Sequence, residues 1–187
     1  SLLILSAVGL PFSWLFLKDY QKLRILTFLN PESDPLGAGY NLIQAMIAVG
    51  AGGIFGRGLG RGTQSQLAFL PEARTDFIFA SLAEELGLFG SLILLLLFLF
   101  LSLRILKAAR EAPDDFGYYL CAGVFSLLTF QVFVNVGVNI GILPITGITL
   151  PLVSQGGSSV LAVMTCLGLV ESVARARKKK EEILEIK

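Results

Sequence analysis

The sequence predicts an all-α integral membrane protein with about four transmembrane helices and a large external loop that contains short helices. Of its 187 residues 54% are hydrophobic and only 16% are charged, and the mean hydropathy is +0.74. A soluble domain would be nearer 25% charged. Three uncharged runs, residues 86–103, 118–149 and 150–170, are also long enough to cross a bilayer, which takes about 20 apolar residues.

Charged and turn-forming residues divide the chain into eight segments. These are a transmembrane helix (1–18), an extracytoplasmic loop (19–75), a transmembrane helix (76–106), a cytoplasmic loop (107–116), a transmembrane helix (117–143), an extracytoplasmic loop (144–151), a transmembrane helix (152–174) and a basic cytoplasmic tail (175–187). Basic clusters follow the second and fourth helices, and the positive-inside rule places both on the cytoplasmic side. Because the chain begins with Ser1 and has few spans, we expect an N-terminal half of the same protein to pack against it.

The composition excludes several classes of chemistry. The chain has no histidine, which removes Ser-His-Asp triads, HExxH zinc sites and a histidine general base. Any acid–base step must therefore use a carboxylate, a lysine or a tyrosine. Cys121 and Cys166 lie in apolar runs and are interpreted as small buried residues. The net charge of +1 gives no support for nucleic-acid binding.

A glycine-rich run occupies residues 50–62, where seven of the thirteen residues are glycine. It lacks the spacings GxxxxGK[ST] and GxGxxG, so a nucleotide-binding loop is not predicted. We expect instead a tight, re-entrant loop against the helix bundle, since such backbone at membrane depth must be buried in protein or line a wet cavity. Arg57, Arg61 and Arg74 could meet an anionic head group, or they could be solvated loop arginines.

The second predicted span begins in the stretch LPEARTDFIFASLAEELGLFG (70–90) and contains three carboxylates, Asp76, Glu84 and Glu85. On a helix, Asp76 heads a stripe of small residues within about 40° of it, namely Ala80, Ala83, Gly87 and Gly90. Such stripes let helices approach closely. On the same helix, Glu84 lies about 12 Å along the axis from Asp76, and Glu85 lies on the opposite face. We expect both glutamates to be paired structural residues. Asp76 is either an N-terminal helix cap or a functional carboxylate.

Polar residues also interrupt the last two spans. Gln131, Asn135 and Asn139 recur every four residues and form one ridge, which we interpret as a source of interhelical hydrogen bonds. The segment Ser154–Ser159 contains a glycine pair and delays the start of the last helix. It indicates either an interrupted helix that builds a binding site or a glycine pair required by packing.

Three stretches, FLNPESDPLGAGYN, GTQSQLAFLPEARTDFIFASLAEELG and NVGVNIGILPITGITLPLVSQGGSS, resemble the RodA/FtsW/SpoVE (SEDS) family of bacterial cell-wall synthesis. The resemblance covers roughly residues 10 to 172 and is strongest to the RodA branch. Family members have about ten spans, so the chain is similar to their C-terminal part. The chain differs from many relatives at Arg74, where histidine is common, at Gln155, where tyrosine is usual, and at Ala68, where an acidic residue is common.

The resemblance implies a peptidoglycan glycosyltransferase that polymerises lipid II at the outer face of the bacterial cytoplasmic membrane, for cell shape, elongation or division. The family's essential carboxylate matches Asp76, which would act as general base on the acceptor sugar hydroxyl. The predicted substrate-binding residues are Arg74, Thr75, Arg57, Arg61, Ser154, Gly156 and Gly157. No cofactor is implied with certainty, although Mg²⁺ or Mn²⁺ could stabilise the leaving diphosphate.

The implied partners are lipid II, a class B penicillin-binding protein, the N-terminal half of the same protein and the membrane. Two other functions are compatible with the same sequence. A lipid II transporter or flippase would use the same polar ridge without bond chemistry. A non-catalytic scaffold would activate the penicillin-binding protein, and Asp76 would then be only a helix cap.

Overall fold

The computed structural model of the protein describes residues 17–34, 37–66 and 72–185, without the side chains of residues 65–66 and 177–185. These ranges contain helices and no strand, which confirms the predicted all-α class. The helices are α1 (Asp19–Leu29), a 3₁₀ turn (Pro31–Ser33), α2 (Ala38–Gly52), α3 (Thr63–Gln66), α4 (Ile78–Arg110), α5 (Asp115–Asn139) and α6 (Gly157–Glu185). The predicted first transmembrane helix, 1–18, lies almost entirely outside the described residues.

Three of these helices are long and apolar enough to cross a membrane: α4, α5 and the Gly157–Ala176 part of α6. Many large apolar side chains on them face outward, and Leu97 and Phe100 of α4 are 60% and 64% exposed. An apolar outer surface of this kind suits a lipid environment, where the tails replace water around the helix. The chain is therefore a multi-pass membrane protein.

Helix α4 is interrupted at Gly87, whose backbone has φ 68° and ψ −167°. A break in a helix leaves carbonyls before it and N–H groups after it without helical partners. The glycine loop, defined here as residues 53–62, supplies those partners. The Arg57 and Gly58 N–H groups donate to the carbonyls of Glu84 and Glu85, both at 3.0 Å. In return, the N–H groups of Leu88 and Phe89 donate to the carbonyls of Gly53 and Ile54, at 2.9 and 3.1 Å.

Glycine is required where the glycine loop and the end of α2 touch α4. A Cβ atom on Gly52 would collide with the carbonyl oxygen of Ala83, and one on Gly56 would collide with the carbonyl oxygen of Glu85. A Cβ atom on Gly87 would collide with the backbone nitrogen of Gly56. The glycine loop thus lies against the bundle, as predicted, and its glycines allow backbone-to-backbone contact with α4.

The core has two parts. In the part near the start of α4, the small residues Ala45 and Ala48 of α2 pack with Phe77, Ala80 and Val134. Ala80 and Ala83 are buried, which confirms that the predicted stripe of small residues serves close helix packing. The other part joins α4, α5 and α6 near the end of α4, through Ile105, Ala109, Cys121, Val124, Leu128, Val163 and Val170.

The orientation in the membrane can be tested by cysteine labelling of the full-length protein, with Cys121 and Cys166 replaced by alanine. We expect Glu32→Cys, on the exposed 3₁₀ turn, to react with a membrane-impermeant maleimide added outside the cell. Ala176→Cys, exposed near the basic tail, should react only after permeabilisation, because the positive-inside rule predicts that the arginine and lysine clusters face the cytoplasm. The opposite labelling pattern would show that the predicted orientation is inverted.

Candidate functional site

Asp76 lies in the turn that leads into α4, two residues before the helix begins at Ile78. Phe77 occupies the N-cap position and no side chain of this segment makes a capping hydrogen bond, so the capping interpretation of Asp76 is wrong. Within the part of the chain that the structure describes, the Asp76 carboxylate accepts no hydrogen bond. The side chain is half-buried. It is therefore a carboxylate with its acceptor positions available.

Two asparagines of α5 hold the backbone of Asp76 in place. Asn135 donates from Nδ2 to the carbonyl of Asp76 at 2.9 Å and to the carbonyl of Ile148 at 2.8 Å. Asn139 donates to the same Asp76 carbonyl at 3.0 Å. Its Oδ1 accepts the N–H of Ala80 at 2.9 Å, in the first turn of α4. Asn139 thus caps α4 from a neighbouring helix, because the N–H groups of a first turn have no partner within their own helix.

The bond from Ala80 confirms the predicted interhelical hydrogen bonding for Asn139, whereas Asn135 bonds the turn before α4 and the loop after α5. Asn135 and Asn139 are 1% and 0% exposed, so their amide groups are removed from solvent. Gln131, at the other end of the ridge, is half-buried and makes no side-chain hydrogen bond within the described ranges. The ridge therefore acts through its two asparagines, which orient Asp76.

The loop between α5 and α6, residues 140–156, closes the other side of the site. Gly147 has φ 76°, and a Cβ atom there would lie 3.6 Å from Oδ2 of Asp76, so this carboxylate lies directly against the loop. Ser154 is buried and donates from Oγ to the carbonyl of Thr75 at 2.6 Å. The N–H of Gln155 donates to the carbonyl of Arg74 at 2.8 Å. Both bonds fasten the backbone just before Asp76 to this loop.

Arg24 of α1 is exposed and contacts the same loop. Its Nη1 donates to the carbonyl of Ile145 at 3.2 Å. Asp76 precedes the membrane-spanning helix, and burial raises the pKa of its carboxyl group above the ordinary value of 3.8. The carboxylate of Glu72 also raises this pKa, whereas the guanidinium of Arg24 lowers it. Sequence analysis did not single out Arg24, since its bonded partner lies 121 residues away.

The structure brings together some of the residues predicted to bind substrate. Arg74 and Thr75 adjoin Asp76, and Arg74 is exposed. The Thr75 hydroxyl donates to Oε2 of Glu72 at 2.6 Å. Ser154 is engaged with the Thr75 carbonyl, and Gly156 and Gly157 lie at the start of α6. Arg74, Thr75 and Ser154 therefore lie at the turn that carries Asp76, whereas Gly156 and Gly157 show no contact with it in the described residues.

Arg57 and Arg61 lie elsewhere. The backbone of Arg57 is bonded to Glu84, which is about 9 Å along the axis from the start of α4. Its guanidinium donates to the carbonyl of Ala51 at 3.2 Å and to the Thr63 hydroxyl at 2.9 Å. Arg61 is exposed on the same glycine loop. The loop is fastened to the break in α4, and for this reason Arg57 does not join Asp76.

Glu84 is fully buried, and its carboxylate is held by hydrogen bonds from α3. Its Oε1 accepts the Thr63 hydroxyl at 3.1 Å and the N–H of Gln64 at 3.0 Å. These bonds connect α3 to α4 and confirm that Glu84 is a paired residue. Glu85 is half-buried, and its backbone carbonyl receives the N–H of Gly58.

Binding of Mg²⁺ or Mn²⁺ stays a prediction, which the described residues do not test. No group of three or more Asp, Glu, Cys or His side chains that could hold a metal ion occurs among them. Near Asp76, the carboxylate of Glu72 is occupied by the Thr75 hydroxyl. Mg²⁺ is commonly held by one or two carboxylates together with substrate phosphates and water, so such a cluster is not a requirement. We assign no step to a metal ion.

Replacing Asn139 by leucine is expected to destabilise the protein by about 1–3 kcal/mol, because the buried N–H of Ala80 loses its acceptor. The melting temperature of the full-length protein in detergent would measure this loss. Gln131→Leu is the matched control on the same ridge and should change the melting temperature little. Equal effects of the two substitutions would contradict the capping role of Asn139.

The family model for FtsW, RodA and SpoVE, described as cell cycle protein, matches residues 1–179. The chain belongs to the FtsW/RodA/SpoVE family. The resemblance stated from the sequence motifs is thereby confirmed.

Curated relatives of this family member include three that are well matched. It is 52% identical over 176 residues to peptidoglycan glycosyltransferase MrdB of Escherichia coli (strain K12), covering 94% of this chain and 48% of that protein. It is 47% identical over 156 residues to stage V sporulation protein E of Bacillus subtilis, covering 83% of this chain and 42% of that protein. It is 48% identical over 157 residues to peptidoglycan glycosyltransferase RodA of Treponema pallidum, covering 84% of this chain and 36% of that protein. The chain spans about half the length of these relatives, or less.

Two solved structures are also similar to this family member. One is the structure of a peptidoglycan synthase complex, described in terms of the structural coordination of polymerization and crosslinking. It matches with a TM-score of 0.73 and 36% identity, covering 94% of this chain and 48% of that chain. The other is a point variant of the rod shape determining protein RodA of Thermus thermophilus, with a TM-score of 0.53 and 32% identity over 83% of this chain and 57% of that one. Both support the helical architecture described above.

Proposed function

We propose that the full-length protein is a peptidoglycan glycosyltransferase that polymerises lipid II at the outer face of the bacterial inner membrane. The observation that carries the proposal is the geometry of Asp76. Its backbone is fixed by Asn135 and Asn139, while its carboxylate makes no hydrogen bond with the described residues. The names of the relatives, peptidoglycan glycosyltransferase at 52% and 48% identity, give the reaction class to which this geometry is assigned.

In the proposed reaction, Asp76 is the catalytic general base. The 4-hydroxyl of the acceptor sugar gives its proton to the Asp76 carboxylate as the oxygen attacks the anomeric carbon of the donor. The new bond joins that oxygen and that carbon, while the bond from the carbon to the diphosphate oxygen breaks. The electron pair leaves with the lipid diphosphate, which is a stable anion and needs no proton from a second carboxyl group. A general base of this kind is worth about 10²–10⁴ in rate.

The raised pKa of Asp76 suits this role. A base is most effective when its pKa lies near the working pH, provided that it is still ionised. Burial and the neighbouring Glu72 shift the pKa of Asp76 upward, in that direction. Arg74 is exposed and lies two residues before Asp76. We propose that it contacts the diphosphate, because a guanidinium group can donate two parallel hydrogen bonds to phosphate oxygens.

A class B penicillin-binding protein is the proposed partner. One similar solved structure is described as a peptidoglycan synthase complex that coordinates polymerization and crosslinking. A polymerase that releases glycan strands at the outer face needs a crosslinking enzyme there, and such an enzyme would receive the strand directly. The N-terminal half of the same protein is proposed to complete the lipid-binding cavity around α4 and α5.

The test is extension of labelled lipid II by the purified full-length protein in detergent, followed by gel separation of the glycan strands. We expect long strands from lipid II and no extension from an analogue whose acceptor 4-hydroxyl is replaced by hydrogen. A protein that moves labelled lipid II across vesicle bilayers but forms no strand would be a transporter. That result would refute the proposed function.

A further inference from the structure

Arg24 connects α1 to the loop that contacts the Asp76 carboxylate. It lies on α1, at the start of the external region, and its guanidinium bonds the carbonyl of Ile145 in the loop between α5 and α6. Two residues further along this loop, Gly147 lies against the Asp76 carboxylate. The guanidinium of Arg24 is thus fixed on the loop that contacts the Asp76 carboxylate.

Two of the three influences on the Asp76 carboxyl group favour its protonated form. Burial does so because a charged group loses solvation, and the negative charge of Glu72 acts in the same direction. Arg24 is the charge that opposes them. A protonated carboxyl group cannot accept the proton of an incoming hydroxyl, so without Arg24 the site would lose activity at a higher pH than it does with Arg24.

We propose that Arg24 is a positioning residue that keeps the Asp76 carboxylate ionised and therefore able to accept a proton. The proposal rests on the proposed function, in which Asp76 is the general base. Arginine suits this role because its guanidinium is always charged and presents several donors in a fixed plane. One donor is used by the carbonyl of Ile145, which fixes the guanidinium group on the loop that contacts the Asp76 carboxylate.

The experiment is the pH dependence of lipid II polymerisation by the full-length protein carrying Arg24→Gln, Arg24→Lys or Lys22→Gln. Arg24 is exposed, so solvent weakens the effect of its charge on the Asp76 carboxyl group. We therefore expect Arg24→Gln to move the acid limb of kcat/KM to higher pH by about half a unit, with recovery of rate at alkaline pH. Arg24→Lys should retain most of the original profile. Lys22→Gln removes one positive charge from the same helix and should leave the profile unchanged.

Glu72→Gln supplies an independent measurement that does not alter Arg24. It keeps an acceptor for the Thr75 hydroxyl but removes the charge that raises the pKa of Asp76, so the acid limb should move to lower pH. An unchanged acid limb in Arg24→Gln, with a uniform loss of rate or only a higher KM, would overturn the inference. The wild-type protein separates this failure from failure of the proposed function, because in the latter case it forms no polymer at any pH.

Discussion

Asp76→Asn is expected to lower the rate of lipid II polymerisation by about 10² or more in the full-length protein, without loss of folded protein. The substitution keeps the size of the side chain and the backbone carbonyl that accepts hydrogen bonds from Asn135 and Asn139. It removes the oxygen that would take the proton of the acceptor hydroxyl. Strand length on a gel measures the rate, and the melting temperature measures folding.

The stability of this variant can be predicted from the direction of the pKa shift. Because the pKa of Asp76 is raised in the folded protein, the folded state binds a proton more readily than the unfolded chain does. The stabilisation that follows is present below the ordinary pKa of 3.8 and is lost as the pH rises through the folded value. At neutral pH, Asp76→Asn should therefore keep or slightly raise the melting temperature.

Asp114→Asn is the matched control for this experiment. Asp114 caps α5, where its Oδ1 accepts the N–H of Gly117 at 2.8 Å, and asparagine caps helices about as well as aspartate. We expect normal polymerisation and nearly normal stability for this variant. Normal polymerisation by a stable Asp76→Asn protein would remove the proposed catalytic residue.

Gly87→Val is expected to destabilise the full-length protein by at least about 3 kcal/mol. The backbone of Gly87, with φ 68° and ψ −167°, lies in a region that is almost restricted to glycine. A Cβ atom there would also collide with the backbone of Gly56 and separate the glycine loop from the break in α4. The hydrogen bonds between the loop and the two halves of α4 would then be lost together.

Thermal unfolding in detergent measures this effect, and Gly123→Ala is its control. Gly123 lies within α5 with no atom near the position of an added Cβ, so alanine should be neutral or slightly stabilising. Polymerisation by Gly87→Val should fall with the amount of folded protein. A Gly87→Val protein that melts at the normal temperature would show that α4 does not need its break.

Features that depend on residues close together in the sequence could be predicted from it. The uncharged runs predicted the membrane helices, the four-residue spacing predicted the ridge of Asn135 and Asn139, and the glycine-rich run predicted backbone packing. The sequence did not reveal that Gly87 breaks α4, because a glycine in a stripe of small residues is compatible with a continuous helix. Phi and psi values of this kind are set by the partner segment that satisfies the freed backbone groups.

The site itself was predicted only in part, for a similar reason. The family motif identified Asp76, but the contacts that define its environment join residues far apart in the chain. Asn139 caps α4 across 59 residues, and Arg24 reaches Ile145 across 121 residues. Arg57 was grouped with Asp76 because both lie near the same predicted surface. Its actual contacts follow from the attachment of the glycine loop to the interior of α4.

The attachment of the glycine loop to α4 also constrains how the protein is made. Backbone N–H and carbonyl groups without partners cost several kcal/mol each in the hydrocarbon interior of a bilayer. Helix α4 therefore cannot rest in lipid alone at its break, and residues 53–58 must already accompany it. These residues precede α4 in the chain and leave the ribosome first. We therefore expect the glycine loop to be available to pair with the break as soon as α4 enters the membrane.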